Sequence, residues 1–425
     1  MLSSKRDNSL VTPRIKKARM ATFAGFMIMG ALFYTWSVGV SAFRNHLGME
    51  GSLGDLNFGM VALGIAIGGT FGAFIVGYFV DRFGPRTVIR TTLLAYPLSL
   101  IALGFASQYT FALMFGCLLG ALRGSVDTAL NAHGVQVERF YQRSIMSAFH
   151  AYFSLGGFLF GILASYLAGF SSDSAIIPFT VAGVSLALLS LLTSQFMLGK
   201  DELLPVNHEP TRSAAAPTAR NWKVLMLMVA FGALLIAGMI SESSVSDWGQ
   251  EFLVRETGMT ISTAGLAISF FTGAGFIARM TGDWLAERIG AAAMVFCCGA
   301  ISIVGIFLAT LSHAPVMGMA GFALLGLGLA CIAPLMLSAA GRKDPANSGR
   351  NVGIVNGIGF GGMLGGPAVY SYLVSTYGIG ALFYMPLVLM SLIAIFGPLL
   401  MRVKPGASAA HPAASAAANN SEAKI

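Results

Sequence analysis

KDELLPVNHEPTRSAAAPTARN, residues 200–221, is the longest polar stretch inside the chain. It is rich in Pro and Ala and lacks any apolar periodicity. On either side the sequence is made of apolar runs about 20 residues long, the length that crosses a bilayer as a helix. Six runs precede it, near 20–42, 56–80, 88–107, 110–133, 145–169 and 175–198. Six follow, near 222–246, 262–286, 291–311, 315–340, 350–376 and 379–402. The sequence therefore predicts an all-α membrane protein with twelve transmembrane helices in two six-helix bundles. The expected parts are a cytoplasmic N-terminus (1–19), an N-terminal bundle (20–198), a linker (199–221), a C-terminal bundle (222–402) and a disordered tail (403–425).

Composition agrees. Of the 425 residues, 56% are hydrophobic and 10% charged, against about 25% charged in ordinary soluble domains. The net charge of +8 is explained by topology. All but four of the 26 Lys and Arg fall on one side if both ends are cytoplasmic, as the positive-inside rule requires. Arg44 and Arg255 are left on the opposite side, and Arg123 and Arg279 lie within spans. The charge thus gives no reason to expect a nucleic-acid partner. The basic start followed by an apolar run resembles a signal peptide, but the run is too long and reads as a first span. Cys117, Cys297, Cys298 and Cys331 sit in apolar runs with no CxxC pair, which excludes a zinc or redox frame. No cofactor or metal is expected, no catalytic constellation is recognisable, and no soluble region is large enough for an enzyme core.

The halves repeat. An offset of about 206 places DRFG (81–84) on ERIG (287–290) and Gly120 on Gly326. Paired repeats with a solute site between them near mid-membrane are a common plan of secondary transporters.

GYFVDRFGPR (77–86) resembles the signature loop between the second and third helices of the major facilitator superfamily. Gly77, Asp81, Arg82, Gly84 and Arg86 match its pattern, Pro85 replaces a common basic residue, and the resemblance implies a gating role for these five residues at the cytoplasmic side. DTALNAHGVQVERFYQRSIMSAFHAYFSLGG (127–157), SESSVSDW (241–248), ARMTGDWLAERIG (278–290) and GLGLACIAPLMLSAAGR (326–342) are similar to a bacterial YbjJ-like branch, itself distantly similar to fucose permeases. That branch's pattern falls on Asp127, Asn131, Glu138, Arg139 and His150, and Arg123 stands outside it. The resemblance implies a monomeric solute transporter of the bacterial inner membrane. It implies a cavity lined by helices 1, 4, 7 and 10, and helices 2 and 11 that meet across the halves.

The residues themselves point to candidate roles. Arg123, Asp127 and Asn131 recur every four residues and share one face of the fourth span. Charges inside a membrane usually line a pathway, so the stripe is either a structural ion pair or a cavity-facing site for a solute or a proton. Glu242 has no basic partner on its own helix and suits proton binding. At the repeat offset it falls on Trp36, so Tyr34, Trp36 and Glu242 are expected at similar depth, with Asn356 as a further solute contact. Arg279 and Asp283, with Glu287 and Arg288, are read as gate residues near the cytoplasmic end, and His150 as a structural group there. Gly64, Gly68 and Gly72, and Gly353, Gly357, Gly361 and Gly365, form stripes that allow close helix approach and are expected to face each other. The expected function is secondary active transport of a small polar organic solute, with protons as coupling ion. The alternatives are a drug or metabolite efflux antiporter and, from another class, a non-transporting sensor.

Overall fold

The computed structural model describes residues 10–141, 145–170, 173–204, 222–311, 314–343 and 348–402. Most of the linker, 205–221, and the tail from 403 lie outside the described residues. The N-terminal half holds α1 (Pro13–His46), α2 (Gly51–Phe83), α3 (Pro85–Gly104), α4 (Tyr109–Tyr141), α5 (Met146–Ala168) and α6 (Ile176–Ser194). The C-terminal half holds α7 (Trp222–Thr257), α8 (Ile261–Ile289), α9 (Ala291–Leu311), α10 (Pro315–Leu329), α11 (Ile332–Lys343), α12 (Ser348–Met363), α13 (Gly366–Tyr377) and α14 (Tyr384–Arg402). These make twelve passes, because α10 with α11 and α12 with α13 each form one interrupted pass. The connections after α2, α4, α6, α8 and α11 lie on one face with both ends of the described chain, here the termini face. The other is the far face.

The two interruptions have chemical causes. Pro334 has no N–H to give the carbonyl of Ala330, and the helix breaks there. Pro367, preceded by Gly365 and Gly366, does the same to the carbonyl of Met363 between α12 and α13. The repeat is visible in backbone detail. Gly84 closes α2 with φ +82° and donates its N–H to Val80; Gly290 closes α8 with φ +85° and donates to Ala286. Only glycine holds such a φ without steric cost. Gly120 presses on the backbone of Ile65, and Gly326 on that of Phe271. Both pairs are related by the same offset.

The glycine stripes do not meet as expected. Gly68 and Gly72 pack on the backbone of Cys117 and Ala121 in α4, within their own half. A side chain added at Gly353, Gly357 or Gly361 would meet nothing within 4 Å. Small residues recurring every four positions specify close approach but not the neighbour, and here α4 takes that place. The halves touch through α5 on α8, through α2 on α13, where the second pass meets the eleventh as expected, and through α1 on α7 and α8.

Candidate functional site

A narrow cleft lies between the halves. Its lining includes Tyr34, Ser154, Glu242, Thr272 and Arg279, with Ala330 at the break in the tenth pass. The Tyr34 hydroxyl donates to Glu242 Oε1 at 3.4 Å. Arg279 Nη2 lies 3.9 Å from the same carboxylate oxygen, and Arg279 Nη1 donates to the Ser154 hydroxyl. Glu242 and Arg279 belong to the C-terminal half, Tyr34 and Ser154 to the N-terminal half. Each member of one ion pair thus reaches a neutral hydroxyl on the opposite bundle. Two expectations change. Glu242 has a basic partner, supplied by the neighbouring helix. Arg279 sits in the central cleft rather than near the end of its helix, whereas Asp283, Glu287 and Arg288 are exposed beyond it.

The α4 stripe divides. Arg123 forms no ion pair with Asp127; its guanidinium carbon lies 3.8 Å from the centre of the Phe33 ring. Asp127 accepts from Asn131 Nδ2 at 2.9 Å, and Asn131 Oδ1 meets His150 Nε2 at 3.2 Å. Because Nδ2 is the amide's donor, His150 is the donor to Oδ1. Trp36 is 3% exposed and packs among Phe43, Phe58 and Phe179, away from the cleft. One residue separates it from Tyr34, and about 100° per residue carries it to another face. Asn356 is half-buried on α12 and is not among the cleft residues.

Sequence reasoning missed the far-face closure. Arg44 and Asp55 are 3% and 2% exposed and bond at 2.6 Å. Arg255 reaches Asp55 at 2.9 Å, and Arg44 reaches Glu251 at 3.5 Å. Ser41 adds its hydroxyl to Glu251 at 2.8 Å and its N–H to Gln250 at 3.0 Å. Arg44 also lies over the rings of Phe58 and Trp248. Two cations and two anions from opposite halves form one neutral, largely dry lock. The available signal was the pair Arg44 and Arg255, the only basic residues assigned to that side.

At the termini face the halves part. The α5–α8 seam runs through Ser165–Gly265, Gly161–Ser269 and Phe158–Gly273 to Ser154–Arg279. Of the signature residues, Asp81 and Arg82 are exposed, and Gly77 has open space beside it. Arg82 donates to the Tyr78 hydroxyl at 2.9 Å. Lys200 Nζ donates to the carbonyls of Asp81 and Arg82, a contact within the same half.

Arg86 works within its own half. It donates to the Met197 carbonyl at 2.7 Å and pairs with Glu202 at 3.2 Å, and Arg14 bonds the same carboxylate at 2.6 Å. Burial pushes the Glu202 carboxyl up. Hydrogen bonds from Arg14 and the Gly199 N–H, with the charges of Arg14 and Arg86, outweigh it and hold the carboxyl below its ordinary value. A lowered folded pKa contributes stability that is full above the unfolded pKa and is lost as pH falls through the folded one. Glu202→Gln should therefore cost about 1 kcal/mol near neutral pH, as partly exposed pairs do. Thermal melts of the two proteins should converge as pH falls below the lowered pKa of that carboxyl. A gap that persists at acid pH would show that the carboxylate's charge is irrelevant.

A second unforeseen anchor is His133, fully buried on α4. Leu198 N–H donates to its Nε2 at 2.8 Å, so Nδ1 carries the proton and donates to the Thr22 hydroxyl at 3.1 Å. It pins the end of α6 to α1 and α4. Glu138 accepts from the N–H groups of Ile145 and Met146 and caps α5. No group of three or more His, Cys, Asp or Glu able to hold a metal occurs among the described residues.

Two six-pass bundles around a polar cleft, sealed at one face and parted at the other, define a membrane transporter built for solutes. The chain belongs to the Major Facilitator Superfamily, whose family model matches residues 20–249 and 231–422. It is 26% identical over 377 residues to the Uncharacterized transporter y4wD of Sinorhizobium fredii, covering 89% of this chain and 96% of that one. It is also 26% identical over 339 residues to NarK2 of Mycobacterium tuberculosis, named a probable nitrate/nitrite transporter, covering 77% and 80%. The crystal structure of the nucleoside transporter NupG superposes with a TM-score of 0.66 at 13% identity, covering 92% of this chain and 99% of that one. That likeness is one of fold.

Proposed function

We propose that the protein is a proton-coupled secondary transporter that moves a small polar organic solute across a bacterial inner membrane by alternating access. The carrying observation is the Glu242–Arg279 pair, each member of which holds a hydroxyl of the opposite half. In this reading both termini are cytoplasmic and the structure is inward-facing. The polar groups around the cleft, drawn from both bundles, suit a polar solute held between them.

The coupling follows from charge. Ionised Glu242 attracts Arg279 and accepts from Tyr34, which ties α7 and α8 to α1 and α5. Protonation removes the negative charge and releases Arg279, so the two cross-half bonds change together. In proteoliposomes, an inward pH gradient should drive solute accumulation by the native protein. Glu242→Gln should lose gradient-driven accumulation and keep solute exchange, which needs no net proton movement. Asp127→Asn tests the other acid of the central helices. Unchanged gradient dependence in both variants would sink proton coupling.

A further inference from the structure

We infer that the far face opens along one edge, between α2 and α13, where the Ser371 hydroxyl acts as a latch, while the repeat-related edge between α5 and α8 is the hinge. The inference rests on the alternating-access part of the reading above and needs neither the proton nor the identity of the solute.

The two edges are built from the same pair of residue types. Gly59 of α2 lies against the side chain of Ser371 on α13, and Gly265 of α8 lies against that of Ser165 on α5. Gly59 and Gly265 are 206 residues apart, and so are Ser165 and Ser371. One contact is the repeat image of the other, and each joins opposite halves. All four residues are buried. The glycine lets the helices approach closely, so each serine side chain meets backbone across its seam.

The hydroxyls differ. Ser371 Oγ crosses the halves and donates to the Asp55 carbonyl at 3.0 Å. Asp55 is also the shared carboxylate of the far-face lock, so this bond ties α13 to the turn of α2 that carries the lock. Ser165 Oγ turns back and donates to the Gly161 carbonyl of its own helix at 2.7 Å, and Ser269 Oγ does the same to Gly265 at 3.1 Å. Among the described residues the one hydrogen bond that joins α5 to α8 lies at the far end of the seam, between Ser154 and Arg279. Helices that touch without bonds between them can roll on each other at no loss of bonding, whereas parting α2 from α13 breaks one. Length also separates the edges. The α5–α8 seam runs from Ser165 to Ser154, about 16 Å at 1.5 Å per residue. The Gly59–Ser371 contact lies near the far face. Toward the termini face, a carbon added at Gly77 on α2, or at Gly353, Gly357 or Gly361 on α12, meets nothing within 4 Å. Bundles held along one edge, and only near one end of the other, part at the shorter contact.

The test uses the full chain with its four cysteines replaced by alanine and spin labels at two exposed pairs. Leu53→Cys with Tyr377→Cys spans the α2–α13 edge, and Tyr166→Cys with Phe270→Cys spans the α5–α8 edge. Ser371→Ala should raise the long-distance population at the α2–α13 edge about two- to tenfold, the loss of one hydrogen bond, and leave the α5–α8 distance as it is. Gly59→Ala, whose methyl would fall on the Ser371 side chain, should raise the same population about tenfold or more. Ser165→Ala, the repeat image of Ser371→Ala, should move neither distance. Equal lengthening at both edges would overturn the inference, and so would an unchanged α2–α13 distance or a Ser165→Ala chain that opens the α5–α8 edge. If Gly59→Ala does not fold, Ser371→Ala alone decides. Solute exchange in proteoliposomes separates this inference from the reading it rests on. Exchange with both edges opening alike would defeat the hinge and leave transport, whereas one-edged opening without any exchange would defeat transport and leave the hinge.

Discussion

Asp55→Asn should tip the protein out of its far-face-closed arrangement. Asp55 takes Arg44 at 2.6 Å and Arg255 at 2.9 Å, and it is 2% exposed. Neutralising it leaves Arg44 buried with Glu251, at 3.5 Å, as its one remaining carboxylate beside the Met49 carbonyl at 3.0 Å. Breaking one side of a buried pair costs about 3–5 kcal/mol, because the remaining charge stays desolvated. The penalty falls on the closed arrangement, since opening lets Arg44 reach water. The equilibrium should move by roughly a hundred- to several-thousand-fold. Spin labels on His46→Cys and Tyr377→Cys, exposed at the far-face ends of α1 and α13, should show a longer distance in the variant. Glu251→Gln should have a smaller effect, as its contacts to Arg44 and Arg255 are longer, at 3.5 and 3.9 Å. An unchanged distance distribution in Asp55→Asn would remove the lock from the account.

The second large effect concerns folding. Gly120 and Gly326 each bring a helix against a carbonyl of its neighbour, Ile65 and Phe271 respectively. A side chain at either position would strike backbone, which cannot rotate out of the way. Gly120→Val and Gly326→Val should each cost at least about 3 kcal/mol, at the upper end of overpacking penalties. Differential scanning fluorimetry of purified protein would show this as a clear loss of melting temperature. Gly361→Ala is the matching control, because nothing lies within 4 Å of its added carbon. Equal melting of all three variants and the native protein would mean that these close approaches do not limit stability.

Much of this architecture is legible in the residues. Apolar run length fixes the passes, because a helix crossing lipid satisfies its own backbone. DRFG and ERIG mark two turns with the same left-handed glycine, Gly84 and Gly290. Partnerships across helices are less legible. Helical spacing gives the face a residue occupies but not which helix faces it. Arg123 and Asp127 share a stripe without pairing, while Glu242 finds Arg279 on the next helix. Gly68 and Gly72 read correctly as a close-approach stripe, yet α4 and not the eleventh pass receives them. Asp55 and Glu251 lie near the ends of spans, where carboxylates are ordinary; Glu251 is four residues from Arg255, but only the fold brings that pair to Arg44 and Asp55. The interruption at Ala330 is hidden in a continuous apolar run, with Pro334 as its one trace.

Those interruptions also set the two repeats apart mechanically. In the N-terminal repeat the fourth and fifth passes are single rods, α4 and α5. Their counterparts are jointed at 330–331 and 364–365, which leaves α11 and α12 as separate arms of 12 and 16 residues on the termini face. At 1.5 Å per residue these arms are roughly 18 and 24 Å long. A pivot at each joint lets such an arm swing while the rest of its bundle stays fixed. One repeat can then serve as anvil and the other as jaw, an asymmetry of movement built onto a symmetric plan.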